Sequence, residues 1–251
     1  MSRIDRRSRD GENAVMATES HVQPPDLIAV PGGRFMMGRE NQRQDEAPAH
    51  EVVVAPFLAG RQPVTNAEYA LFVAATGVER PEFAREPRFS HPERPAVGVS
   101  WHDAIAYCEW LSKESGQAFR LPTEAEREWA ALGGSADLDW GWPGALEAHP
   151  DFGRIASLNE PHEPSDACAN GYGLRCMAEN VHEWCADWYA KDWYARSPVT
   201  NPSGPAGGKR KVSRGGSWRH STKFTRVTAR ASLDPGFRYN DFGFRLYSDG
   251  R

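Results

Sequence analysis

The chain has 251 residues, enough for one large domain or two small ones, and a formal net charge of −4. That mild charge gives no reason to expect nucleic acid or a membrane surface as partner. Its 23 Gly and 19 Pro exceed ordinary usage, and with 9 Trp they point to a loop-rich fold on large aromatic anchors rather than a helical bundle or doubly wound sheet.

Residues 1–25 are polar and charged and offer too little apolar surface to offset the cost of ordering, so a disordered tail is expected there, with Met16 as a second candidate start. Residues 27–30 and 34–38 read as two short strands around the Pro31-Gly32-Gly33 turn, and Glu51 to Ala55 reads as another. Three helices share one start signal. Thr65/Glu68, Ser100/Asp103 and Thr123/Glu126 each place a hydroxyl three residues before an acid, the spacing at which the two side chains satisfy orphan amides of a first helical turn. Gly77, Gly116 and Gly133 are the expected stops. Residues 135–175 lack periodicity and read as a long irregular segment, of the kind held in place by a function or a bound ion. Alternation returns at 226–231 and 242–247, which read as strands. No internal repeat or linker divides residues 26–249, so a single domain over 26–251 is expected.

The four cysteines, Cys108, Cys168, Cys176 and Cys185, include no Cys-x-x-Cys pair and are too few for a disulfide scaffold. Cys176 and Cys185 are a candidate pair that only the fold can decide. With no apolar export core near the start and no run of ~18 apolar residues, a cytoplasmic protein with reduced thiols is expected.

An ordered series of blocks carries a resemblance. They are FMMG at 35–38, PVTN at 63–66, VSWHD at 99–103, RLPTEAE at 120–126, NGYGL at 170–174, NVHEW at 180–184, DWY at 187–189, RGGSW at 214–218 and GFR at 243–245. Together they resemble the formylglycine-generating enzyme (sulfatase-modifying factor) superfamily over roughly residues 28–247. The resemblance implies an α/β (α+β) domain with a modified C-type-lectin-like core, low in regular structure. Founding members oxidise a sulfatase cysteine to formylglycine with copper held by two cysteines just after the Gly-Gly-Ser-Trp turn. Here residues 219–225 read RHSTKFT, without a thiol, so no Cu(I) site is expected and formylglycine generation is disfavoured. The ergothioneine-type branch, with its added iron-binding histidine triad, is disfavoured too, because the eight His are scattered.

The resemblance also implies structural Ca²⁺ at Asn180, Val181 and Glu183, with a second site from Asp166 and the carbonyls of Leu158 and Cys168; whether any redox metal binds stays open. A soft-metal cluster of Cys176, His182, Cys185 and His220 fits no zinc spacing. Between Trp193 and Leu233 the chain has no acid but Arg196, Lys209, Arg210, Lys211, Arg214, Arg219, Lys223, Arg226 and Arg230, a run that suits an anionic ligand or peptide unless it pairs with internal acids. The ligand-binding candidates are Trp218, Lys223, Arg226 and Tyr239. The catalytic candidates are His220, Arg219 and Glu183, with Tyr239 or Asp241 as further acid–base groups. Family members without the cysteine pair serve siderophore or metalloenzyme maturation. The leading expectation is therefore an oxidative maturation or tailoring enzyme acting on a peptide, protein or small molecule. The alternative is a non-catalytic binding module, since lectin-like frames vary their loops on a fixed scaffold.

Overall fold

A computed structural model describes residues 25–140, 159–219 and 224–250. The expected tail at 1–25, save its last residue, lies outside the described residues, as do Leu158, His220 and Lys223.

The described strands are β1 (Leu27–Val30), β2 (Gly33–Met37), β3 (His50–Val54), β4 (Phe57–Gly60), β5 (His182–Trp188), β6 (Lys211–Arg214), β7 (Ala231–Leu233), β8 (Phe242–Gly243) and β9 (Tyr247–Ser248); the helices are α1 (Asn66–Thr76), α2 (Trp101–Ser115) and α3 (Glu124–Leu132). They form a three-stranded sheet β1-β4-β9, a β2-β3 ribbon and a four-stranded sheet β7-β6-β5-β8. The described pairs are antiparallel except β5 with β8, where His182 lies opposite Phe242 and Glu183 opposite Gly243. Strand β9 closes on β4, which pairs β1, so the last strand joins the first sheet.

All three helix starts form as the sequence predicts. In each, the Ncap hydroxyl accepts from the N3 amide while the N3 carboxylate accepts from the Ncap amide. Gly77, Gly116 and Gly133 end the helices in the left-handed region. Helix α2 buries Tyr107, Cys108, Trp110 and Leu111 against Tyr69 and Phe72 of α1, in a core that also holds Trp184, Phe242 and Phe244. A second core gathers Val30, Phe35, Val52, Val54 and Phe57 of β1–β4 beneath Ala125, Ala130 and Ala131 of α3.

Residues 226–230, read from alternation as a strand, are not one; β7 begins only at Ala231. The alternation carries no solvent-facing side here, because Arg226, Val227, Thr228, Ala229 and Arg230 are all buried. The polar members stay inside by pairing with acids that arrive from far along the chain. Arg226 grips both oxygens of Glu46 at 2.7 Å, and Arg230 grips both oxygens of Glu124 at 2.6 and 2.8 Å. Arg214 joins Glu124 at 2.8 Å and Glu128. Lys211 is buried too, its ammonium between the rings of Trp101 and Trp188, 4.1 and 3.9 Å from their centroids. Much of the basic run is therefore interior framework. Among the described cations of that run, Arg196, Lys209, Arg210 and Arg219 are exposed.

Candidate functional site

The Gly215-Gly216-Ser217-Trp218 turn leaves β6 and is built by two glycines at φ 94 and 67. A Cβ on Gly216 would lie 2.5 Å from Thr225 Cγ2, and one on Gly215 would lie 2.9 Å from Arg127 Nη2. Both positions thus need glycine for conformation and for space. The turn is pinned from beneath: Trp218 N donates to Asn180 O at 3.0 Å, and Ser217 Oγ donates to Asp241 Oδ2 at 2.9 Å.

On the outer side lies an aromatic and cationic surface. The Trp218 ring is half-buried against Phe89, and the guanidiniums of Arg88 and Arg219 stand 5.6 and 5.7 Å from its centroid. Arg219 is 47% exposed, donates to Asn240 Oδ1 at 3.1 Å and lies 3.6 Å from Asp241. Tyr239 and Phe237 are 45% and 51% exposed, their rings edge to face. Trp218, Arg219 and Tyr239, three of the predicted site residues, thus border this face. Arg226, predicted to face a ligand, does not; its buried pairing with Glu46 removes it. A cleft of about 510 Å³ opens beyond, lined by Arg80, Arg85, Asp103, Gly98 and Arg238, and the Gly98 amide bonds the Tyr239 carbonyl at its edge.

Glu183 was expected both to ligate Ca²⁺ and to take part in catalysis. It is wholly buried, Oε2 accepting from Arg127 Nε at 2.8 Å and from Arg245 Nε at 3.1 Å, Oε1 from Arg245 Nη2 at 2.8 Å. Burial alone would raise its carboxyl, but the two guanidiniums overcome this and hold it below the usual range. It is a framework anion. Asn180 is also occupied: its Oδ1 accepts from His162 N at 3.1 Å and its Nδ2 donates to His162 O at 2.8 Å. Val181 is buried in a small cluster with Phe89 and Val97, and Trp218 packs against it. Asp166, on the short turn Asp166–Cys168, pairs with Arg175 at 2.7 Å at the surface. Of the oxygens proposed for calcium, the side-chain oxygens of Asn180, Glu183 and Asp166 are thus engaged by a backbone amide and by guanidiniums. Cys108, Cys176 and Cys185 are buried thiols, so Cys176 and Cys185 are not bridged to each other. His182 packs on Phe242 with centroids 4.7 Å apart.

Sequence reasoning missed a cluster joined to the turn through Asn180, whose carbonyl accepts from Trp218 N and whose side chain holds His162. The Asn180 clamp holds His162 beside Cys176 and Glu179, and the three offer imidazole, sulfur and carboxylate atoms all within 4.8 Å of one another. All three side chains are buried. Burial raises the Glu179 carboxyl to about 7. His162 comes from the irregular segment, where no periodicity marks it; the one available signal was Glu179 standing where the resembling family has glycine.

Comparison with known proteins fixes the lineage. The family described as Sulfatase-modifying factor enzyme 1-like domain matches residues 12–249. The chain belongs to this family. The formylglycine-generating enzyme of Streptomyces coelicolor is 34% identical over 284 aligned positions, which cover 88% of each chain. Among solved structures, PvdO from Pseudomonas aeruginosa superposes with a TM-score of 0.78 at 27% identity, over 90% of this chain and 94% of its own. Treponema denticola variable protein 1 gives 0.77 at 28% identity, over 89% and 94%. The α+β, C-type-lectin-like sulfatase-modifying factor fold expected from the motifs is thereby established. Within this member the segment that follows Trp218, residues 219–225, carries no cysteine. No helix among the described residues is long and apolar enough to cross a membrane.

Proposed function

We propose that this chain is a maturation or tailoring protein of the sulfatase-modifying factor family that does not generate formylglycine, and that it holds an anionic peptide or small molecule against Trp218, Arg219 and Tyr239. The observation that carries this reading is the exposed Arg219 beside Trp218 and Tyr239, in contrast with Arg214, Arg226 and Arg230 of the same run, which are held in interior ion pairs. A cation left at the rim of an aromatic platform attracts a carboxylate or phosphate, while the rings supply contact area at low entropic cost. Residues 219–225 offer no thiolate pair for Cu(I), so the family's copper chemistry has no seat there.

A second reading, binding without turnover, is favoured by one feature: Glu183, the buried acid of the proposed catalytic set, has both oxygens bonded to arginine. Calorimetric titration of an acidic peptide and its uncharged analogue separates binding from its absence. Assay of thiol and phenol substrates under oxygen then separates enzyme from binder. The proposal expects the acidic peptide to bind more tightly and Arg219→Glu to weaken it at least about tenfold with an unchanged melting temperature. Equal affinity of both peptides, or no effect of Arg219→Glu, contradicts it.

A further inference from the structure

We propose that His162, Cys176 and Glu179 form a binding site for a borderline-soft divalent transition metal, with Zn²⁺ as the ion of best fit. The donor set is one imidazole nitrogen, one sulfur and one carboxylate, the ligand types that Zn²⁺ takes together and that Ca²⁺, which needs six to eight oxygens, does not. The three donor atoms lie within 4.8 Å of one another, and His162 Nε2 stands 3.9 Å from Glu179 Oε1. Tetrahedral coordination at the usual bond lengths sets donors about 3.5 Å apart, so closure needs only small side-chain shifts.

Surrounding groups already orient the donors. His162 Nδ1 lies 3.3 Å from the Glu163 carbonyl, which only accepts; in the neutral ring the hydrogen sits on Nδ1 and the Nε2 lone pair faces the cluster. Asn180 fixes the His162 backbone at both its amide and its carbonyl, and its Nδ2 lies 3.6 Å from Cys176 Sγ, a donor suited to a thiolate. Cys176 itself holds φ 57, an unfavourable backbone state for a residue with a Cβ, of the kind that collects at functional positions. Glu179 supplies an independent observation. Its Oε2 accepts from Ala178 N at 2.9 Å, while Oε1, though buried, has no N–H or O–H donor within hydrogen-bond distance. The Cys176 thiol, a weak donor, is the further polar partner of this carboxylate; a cation that replaces the thiol proton between the two groups offsets the cost of burying the charge.

Charge also balances. A thiolate and a carboxylate offset the two positive charges of the ion, so the loaded site is neutral in a buried setting. Binding transfers the Cys176 thiol proton, and any proton on Glu179, to solvent. Three protein ligands leave a fourth position for water or an added ligand.

The test uses the full chain, stripped with chelator and titrated with Co²⁺ and Zn²⁺. The expected result is one ion per chain, and a thiolate-to-cobalt charge-transfer band in the near ultraviolet that Zn²⁺ bleaches. Cys176→Ser and His162→Gln should each abolish the band or weaken binding roughly 100-fold. Single Cys108→Ser, Cys168→Ser and Cys185→Ser variants should keep it, which assigns the sulfur even if Cys176→Ser folds poorly. No charge-transfer band in the parent protein, loss of the band in one of those three variants but not with Cys176, or stoichiometric Ca²⁺ that Zn²⁺ fails to displace overturns the proposal.

Discussion

Arg245 Nη2 lies 2.8 Å from Glu183 Oε1, and neither side chain is exposed to solvent. Arg127 completes the group from α3, 2.8 Å from the second oxygen. Three segments, α3, β5 and the chain just before β9, are thus joined through a single carboxylate. Arg245 also donates to Gly60 O and Arg175 O, at 2.9 and 2.7 Å, extending the join to β4. Glu183→Gln leaves two guanidiniums buried without their anion, and breaking such a pair costs about 3–5 kcal/mol. Urea unfolding should show a loss of that size. A loss below about 1 kcal/mol would mean that the group is not the tie described.

Gly216→Ala forces a Cβ to within 2.5 Å of Thr225 in a backbone at φ 67. Strain and overlap together should cost about 2 kcal/mol or more, and the tryptophan emission of the native state should change as Trp218 shifts. Gly77→Ala is the control: its φ of 72 brings the same backbone strain, but nothing lies within 4 Å of the added carbon. It should cost only about 1 kcal/mol and leave the emission unchanged.

Acid stability should carry the mark of Asp187. Burial, with Glu124 nearby, raises its carboxyl to about 8, while Glu124 N donates to it at 2.9 Å. The folded state keeps this proton while the unfolded chain releases it from about pH 4 upward. The native state therefore binds more protons between about pH 4 and 8, and this group's contribution to stability falls as pH rises through that window and levels off above it. Asp187→Asn removes the dependence and keeps an acceptor for the Glu124 amide. Melting curves at pH 5 and pH 8 should show the variant gaining on the parent by about 3–4 kcal/mol at the higher pH. An equal offset at both values contradicts the protonated state.

How much of this was legible in the sequence depends on how far apart the partners lie. Thr65 and Glu68, or Ser100 and Asp103, are three residues apart, so the helix starts could be read locally and formed as read. The Gly215-Gly216 turn was legible because its reason, left-handed backbone pressed against Thr225, needs glycine in any surroundings. The arginines were legible only as two alternatives, an anion-binding surface or pairing with internal acids. Arg226 meets Glu46 across 180 positions and Arg230 meets Glu124 across 106, so a stretch without acids looked like an anion-binding surface when its counter-charges were simply elsewhere. Glu124 and Glu128, four apart on α3, are buried beside these arginines. His162 was hidden because only the Asn180 side chain, eighteen residues on, gives its position meaning.

If, as proposed, this chain keeps the family's frame without its thiol-dependent oxidation, a sulfatase-type cysteine is not its substrate. The direct measurement is mass spectrometry of a sulfatase-type cysteine peptide incubated under oxygen with the full chain supplied with copper. The peptide should be recovered with its cysteine unconverted, at copper loadings that support turnover by a cysteine-bearing formylglycine-generating enzyme run in parallel. Formation of formylglycine in the peptide, above a copper-only control, would contradict it.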